Sequence, residues 1–205
     1  IYKMIYLNAR ISDDETIGLM LSYNANHTTK GMIKGKKVTA IDNGCFSKPD
    51  KYTDDGYLLY LQKLDLKDSL FAVAPDVVGD YKKTRERAYP MFDKIKNIGY
   101  KVAYVGQDGE DGKGLDFSVF DCLFLGGTTD WKLGGQACEL VALARQHKKW
   151  VHMGRVNSYK RMRVAGAIGV DSVDGTYTCW KTKEREKHLA EWITTIRKQP
   201  YLELQ

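Results

Sequence analysis

The chain has 205 residues, of which 43% are hydrophobic and 28% charged, with a formal net charge of +6. This composition predicts one folded domain over residues 1–205 and excludes a disordered chain. No apolar run of 18 residues, no basic-then-apolar leader and no Cys-x-x-Cys pair occur in the sequence. We therefore expect a cytoplasmic protein with reduced cysteines, not a membrane protein, a disulfide scaffold or a zinc finger.

Short apolar runs alternate with amphipathic stretches along the chain. The runs predict strands at Met4–Leu7, Val38–Asp42, Leu70–Pro75, Lys101–Gly106, Cys122–Gly126, Trp150–Met153 and Val170–Val173. The stretches predict helices at Asp13–Tyr23, Asp54–Leu64, Tyr81–Ile98, Gly135–His147, Ser158–Ala167 and Lys183–Lys198. Such alternation indicates an α/β fold with parallel strands, either a doubly wound open sheet or a compact, TIM-like (β/α) barrel.

Polar residues and glycines follow almost every predicted strand from the second onward. Ligands bind at the carboxyl ends of parallel strands, so these endings predict one cleft, lined by Asp42, Asp76, Gln107 and Asp174. Asp171 and Asp174 flank one short strand and should point to opposite faces. Each aspartate taken alone could equally belong to a turn or cap the following helix.

The carboxyl-terminal part of the chain is basic. Between residues 145 and 198 there are thirteen Lys and Arg against five Asp and Glu. Positive charge of this kind favours contact with nucleic-acid phosphates, although ordinary solvated helix faces would have a similar composition. The spacings typical of nucleotide triphosphatases, dinucleotide-binding folds, serine hydrolases and histidine metal sites do not occur.

The strand endings resemble the tRNA-guanine transglycosylase superfamily. They are most similar to its short branch, often found in phages and genomic islands, which inserts 7-deazaguanines into DNA. The resemblance rests on Asp42-Asn43-Gly44-Cys45-Phe46, Asp76, Val105-Gly106-Gln107, Leu125-Gly126-Gly127, His152-Met153-Gly154 and Gly169-Val170-Asp171-Ser172-Val173-Asp174. It implies a (β/α) barrel in which Asp174 is the nucleophile and Asp42 the general acid/base.

The resemblance also implies a base-binding pocket. Asp76 and Gln107 would read the purine edge, the backbone of Gly126 and Gly127 would face the base, and Met153 would stack on it. The remaining base-binding candidates come from the first motif and are Asn43, Cys45 and Phe46. Phosphates beside the flipped nucleotide would meet Arg155, Lys160, Arg161 and Arg163.

The function implied is replacement of guanine in DNA by a 7-deazaguanine such as 7-cyano-7-deazaguanine, in the host cytoplasm if a phage encodes the protein. The family's Cys-x-Cys-x-x-Cys…His zinc subdomain has no counterpart, because only Cys179 follows Asp174. We therefore expect neither a metal nor a cofactor. Three alternatives remain open from the sequence: a glycosylase that hydrolyses the same bond, a barrel enzyme acting on small metabolites, and a nucleic-acid-binding module without chemistry.

Overall fold

The computed structural model describes residues 4–198, apart from 13, 25–37 and 180–181. Eight parallel strands form a closed barrel in chain order, with the last strand paired to the first. They are β1 Ile5–Asn8, β2 Gly18–Ser22, β3 Thr39–Asp42, β4 Ala72–Val73, β5 Val102–Gly106, β6 Cys122–Leu125, β7 Trp150–Met153 and β8 Ser172–Gly175. The fold is a single TIM-like barrel, as the second sequence-based alternative predicted.

Helices of the described residues pack around the strands. They are α1 Asp54–Leu64, α2 Tyr81–Ile98, α3 Thr129–Lys132, α4 Gly135–Gln146, α5 Tyr159–Ala167 and α6 Thr182–Arg197. Short 3-10 turns occupy Pro49–Lys51, Phe117–Val119 and Tyr177–Cys179. Among the residues that the structure describes, no helix combines the length and apolar character needed to cross a membrane.

Side chains of the strands alternate between two separate apolar clusters, as the period of two requires. One cluster fills the barrel interior and includes Leu7, Met20, Val73 and Val105. The other joins the outer strand faces to the surrounding helices. This alternation decides which residue of each strand can reach a ligand at the barrel mouth.

The predicted bounds of α1 and α2 are confirmed because both helices have clear capping residues. The Thr53 hydroxyl accepts a hydrogen bond from Gly56 N, and the Asp80 carboxylate accepts one from Lys83 N. Gly99 ends α2 in the left-handed conformation, with φ of 108°, which glycine adopts without strain. Pro90 lies within α2, which continues past it.

The predicted helix Asp13–Tyr23 is wrong. Residue 13 lies outside the described residues, and Gly18–Ser22 forms β2 between its neighbours β1 and β3. The apolar residues Ile17, Met20 and Leu21 have helical spacing in the sequence. In the barrel, Met20 points inward while Leu21 joins the outer cluster, so an apolar run buried on both faces imitated a helix.

Two connections are shorter than in a full (β/α) barrel. Residues 9–12 and 14–17, between β1 and β2, contain no helix, and the connection from β5 to β6 has only a 3-10 turn. The second connection is anchored by the buried Glu110. Its carboxylate accepts two hydrogen bonds from the Arg85 guanidinium, at 2.9 and 2.5 Å, and others from Tyr104 Oη at 2.6 Å and Gly112 N at 2.9 Å.

Candidate active site

A cavity of about 280 Å³ opens at the carboxyl ends of the strands. The strand endings of the barrel supply its polar lining, which includes Ser22, Asp42, Asn43, Asp76, Gln107, Arg155 and Asp174. The apolar lining includes Met20, Phe46, Val73, Val105 and Phe124. All four residues predicted to line one cleft therefore meet in it. The volume lies at the small end of the range that is usual for small-ligand sites.

Asp42, at the end of β3, is held by two neutral donors. Its Oδ2 accepts hydrogen bonds from Ser22 Oγ at 3.0 Å and Gly44 N at 3.2 Å. Burial, and then the negative charges of Asp174 and Asp76, raise the pKa of Asp42 from 3.8 to about 7. Asp42 can thus carry a proton near neutral pH, which a general acid requires.

Asp174, in β8, is fixed by groups from β7 and the segment after it. His152 Nε2 lies 3.0 Å from Asp174 Oδ1, and Arg155 N donates to the same oxygen at 3.3 Å. The Asp174 side chain keeps 20% of its surface exposed, whereas His152 is fully buried. Asp171 pairs with Arg145 on the surrounding helix α4 and does not line the cavity, so the two aspartates point to opposite faces, as predicted.

Asp76 is held by two side-chain amides. Asn43 Nδ2 donates to its Oδ1 at 2.8 Å, and Gln107 Nε2 donates to its Oδ2 at 2.6 Å. Burial raises the pKa of Asp76, and the two amide hydrogen bonds partly oppose that shift. Asn43 also donates to Ala74 O, so both its amide hydrogens are used. Asn43 therefore positions Asp76 and has no donor left for a ligand.

Gln107 is also largely committed to the protein. Its Oε1 accepts a hydrogen bond from Gly79 N at 3.0 Å while its Nε2 contacts Asp76. One amide hydrogen remains for a ligand. The arrangement makes Asp76 the main polar group on this side of the cavity, with Gln107 orienting it.

Arg155 lies across one side of the cavity mouth. It has a left-handed backbone, with φ of 60°, and its guanidinium donates to the carbonyls of Gly126 and Gly127, both at 2.6 Å. The same group lies 4.4 Å from the ring centroid of Phe46. Phe46 is 56% exposed, so an aromatic face remains available at the mouth.

Two predicted base-binding residues lie elsewhere. Met153 is 1% exposed and packs in the outer cluster, because His152 occupies the inward position of β7. The predicted stacking of Met153 on a base is therefore wrong for this cavity. Cys45 is buried in the same outer cluster, where burial raises the pKa of its thiol to about 12. It does not line this cavity, and a thiol with a raised pKa is a poor nucleophile at neutral pH.

Gly126 and Gly127 serve packing more than ligand binding. Both N–H groups donate to Gly106 O, and both carbonyls accept from Arg155. A Cβ atom at Gly126 would lie 2.4 Å from Val105 Cγ1, and one at Gly127 would lie 2.6 Å from Asp108 Oδ2. The expectation that their backbone presents free groups to a purine is corrected, although Gly126 still lines the cavity.

The four predicted phosphate contacts do not share one environment. Lys160 and Arg163 are exposed on α5. Arg161 is half-buried and donates from Nη1 to Arg155 O at 2.9 Å, which supports the residue at the mouth. Arg155 lines the cavity itself.

Sequence reasoning missed two residues around Asp174. The inward position of His152 follows from strand alternation once the outward position of Met153 is known. Lys132, in α3, is almost fully buried and donates from Nζ to Gly154 O at 2.5 Å. Burial, and then the nearby Arg155, lower the pKa of Lys132 to about 7. No sequence pattern indicates a buried lysine there.

The described residues contain no group of three or more His, Cys, Asp or Glu side chains that could hold a metal ion. The cavity instead brings together carboxylates, amides and one guanidinium. Two of its three carboxylates, Asp42 and Asp174, differ in their surroundings. Asp42 accepts from a hydroxyl and a backbone N–H, and burial raises its pKa. Asp174 accepts from an imidazole and a backbone N–H and keeps part of its side chain exposed. This asymmetry can support proton transfer by one group and nucleophilic attack by the other.

No protein-family model and no curated protein matches the chain. Among solved structures, it is similar to tryptophan synthase from M. tuberculosis in its aminoacrylate- and BRD0059-bound form, with 11% identity and a TM-score of 0.52. That match covers 80% of this chain and 61% of the other. The L230A mutant of flavocytochrome b2 with benzoylformate gives 14% identity and a TM-score of 0.55, over 96% and 64% of the two chains.

Native KDPGal aldolase gives 10% identity and a TM-score of 0.55, over 95% of this chain and 93% of that one. The chain thus spans less than two thirds of the tryptophan synthase and flavocytochrome b2 chains. All three are TIM-barrel enzymes, and none is a tRNA-guanine transglycosylase. At these identities the likeness shows the fold alone.

Proposed function

We propose that the protein is a base-exchange N-glycosyltransferase that replaces guanine in DNA with a 7-deazaguanine. The observation that carries the proposal is the shared cavity of Asp42 and Asp174, two carboxylates with different environments at the ends of separate strands. Cleavage of a glycosidic bond by double displacement needs one carboxylate that attacks the sugar and another that carries a proton.

The exchange proceeds in two steps. Asp174 attacks C1′ of the nucleotide, and the bond between C1′ and the base breaks. The electron pair of that bond goes to the departing guanine, which takes up the proton of Asp42. An incoming 7-deazaguanine then gives its N9 proton to Asp42, attacks C1′ and releases Asp174.

The remaining lining residues suit a flat heterocycle. The carboxylate of Asp76 offers oxygens for the N–H groups of a purine edge, while Phe46 offers an exposed aromatic ring. A base stacked in a duplex must be flipped out to reach this cavity. The exposed Lys160 and Arg163 lie on α5, after the strand β7, where positive charge would contact flanking phosphates.

The proposal is tested with purified protein, guanine-containing duplex DNA and a labelled 7-deazaguanine. We expect label in the DNA with the wild-type protein and with Asp93→Asn, a control at an exposed position on α2. We expect none with Asp174→Asn. Abasic sites without incorporated label would show that the protein hydrolyses the glycosidic bond and does not exchange the base. Unchanged DNA would reject both activities.

The contact with DNA is tested separately by varying the salt concentration. The double variant Lys160→Gln/Arg163→Gln should bind a short duplex more weakly and reduce the slope of log K against log salt by about 2. Lys94→Gln, at an exposed position late in α2, should leave the slope unchanged. Equal slopes in all three proteins would exclude Lys160 and Arg163 from the DNA-binding surface.

A further inference from the structure

Four side chains of β7 and β8 form a continuous chain of hydrogen bonds that ends on Asp174. Trp150 Nε1 donates to Ser172 Oγ at 2.8 Å. Ser172 Oγ lies 2.8 Å from His152 Nδ1, and His152 Nε2 lies 3.0 Å from Asp174 Oδ1. The parallel register explains this meeting, since His152 pairs with Ser172 across the two strands.

The direction of each hydrogen bond follows from the donors available. An indole N–H can only donate, so Ser172 Oγ accepts from Trp150 and its own hydrogen remains for His152 Nδ1. The imidazole then carries its proton on Nε2 and donates it to Asp174. The opposite tautomer would place a nitrogen lone pair against a carboxylate oxygen, which is unfavourable in a buried site.

The surroundings keep this imidazole neutral. His152 is fully buried, and its ring packs against Phe71 and Phe124, with centroid distances of 5.1 and 4.5 Å. Burial lowers the pKa of His152, and the hydrogen bond to Asp174 opposes that shift only in part. The nearby positive charge of Lys132 also lowers the pKa.

Both donors to the Asp174 side chain use the same oxygen. His152 Nε2 and Arg155 N contact Oδ1, and Gly154 leaves room beside it, since a Cβ atom there would lie 3.3 Å from Oδ1. No side-chain or backbone donor of the described residues contacts Oδ2. We propose that His152, oriented by Ser172 and Trp150, is a positioning residue that holds Asp174 by Oδ1 and presents Oδ2 as the attacking atom.

The first test is the tautomer of His152, measured by two-bond ¹H–¹⁵N correlation spectra of the labelled full chain. The His152 signals are assigned from their loss in His152→Gln. We expect a proton on Nε2 and a bare Nδ1 at pH 7. A proton on Nδ1 alone, or on both nitrogens, would overturn the proposal, whether or not the protein catalyses base exchange.

The second test is kinetic and rests on the proposed function. His152→Gln keeps an N–H donor at a similar reach, whereas His152→Leu removes it. We expect kcat to fall about 30-fold in His152→Leu, with KM changed less than about threefold, and largely to recover in His152→Gln. His147→Gln, at an α4 C-cap residue stacked on Phe117, is the matched control.

The two tests separate two kinds of failure. Equal loss of kcat in His152→Gln and His152→Leu would overturn the positioning role, since the imidazole itself would then be required. Lack of base exchange in the wild-type protein would reject the proposed function. The measured tautomer of His152 would still show whether this residue can donate to Asp174 and hold it in position.

Discussion

Two carboxylates of the barrel face opposite electrostatic situations. Glu110, in the connection from β5 to β6, is fully buried and receives a bidentate hydrogen bond from Arg85 in addition to those of Tyr104 and Gly112. Asp42, at the end of β3, receives hydrogen bonds from only Ser22 Oγ and Gly44 N among the residues that the structure describes. The neighbours that most affect its pKa after burial are the negative charges of Asp174 and Asp76.

The difference separates a stabilising site from a reactive one. A buried charge with a guanidinium and matched donors is compensated and holds its connection in place. A carboxylate among other carboxylates is left with an uncompensated charge and takes up a proton instead. An uncompensated buried carboxylate lowers the stability of the fold. Such groups therefore concentrate at functional sites, where a raised pKa serves the chemistry.

The largest expected effect concerns the rate of base exchange. Asp42→Asn removes the group that protonates the departing base, so we expect the rate at pH 7 to fall about 10³-fold. Nucleoside mass spectrometry of the reacted DNA measures this rate, with Asp93→Asn as the control. A rate within tenfold of the wild type would remove Asp42 from the proton-transfer step.

A smaller effect is expected on the other carboxylate. Arg85→Ala leaves the charge of Glu110 buried without its cation, so we expect the free energy of unfolding to fall by about 3 kcal/mol. Urea denaturation measures this change. Lys83→Ala, which removes an exposed pair with Asp80, should cost less than about 0.5 kcal/mol. Equal losses in the two variants would mean that the Arg85–Glu110 pair contributes no more than a surface pair.

The last expected effect is the pH dependence of stability. Between pH 4 and 7 the folded protein keeps a proton on Asp42 that the unfolded chain has lost, because the folded pKa is raised from 3.8 to about 7. The contribution of Asp42 to stability must therefore decrease as the pH rises through this range, by about 3 kcal/mol.

Asp42→Asn abolishes this contribution. The free energy of unfolding of the variant, relative to that of the wild type, should therefore increase from pH 4.5 to pH 7.5. Urea denaturation at both pH values measures the gain. The pKa of His152 is also lowered and that of Asp76 raised. Both residues are present in both proteins, so their contributions to the pH dependence largely cancel in the difference. A difference that is the same at the two pH values would show that the pKa of Asp42 is not raised.

Most helices and strands could be predicted from the sequence because their local patterns agree with the tertiary structure. The helices α1 and α2 have capping residues next to amphipathic stretches, and most strands are short apolar runs between turns. The strand β2 was missed because a strand buried on both faces has no alternation of apolar and polar residues. The closure of the barrel depends on pairing β8 with β1, which are separated by almost the whole chain and leave no local pattern.

The candidate site shows a similar division. Asp42, Asp76, Gln107 and Asp174 could be placed together because strand ends converge in any parallel (β/α) barrel. Met153 was misplaced because a shift of one residue along a strand reverses the face of the side chain. The commitment of the Gly126 and Gly127 carbonyls to Arg155 depends on side-chain geometry, which sequence patterns do not contain.

The guanidinium of Arg155 joins loops that follow three different strands, since it contacts Phe46 after β3 and the carbonyls of Gly126 and Gly127 after β6, while its own backbone follows β7. Substitutions at these positions should consequently be non-additive, because each alters the support of the others. To give the protein a new ligand preference, these loops would have to be varied together in one library. A change in a single loop would mostly disturb the contacts that Arg155 makes with the others.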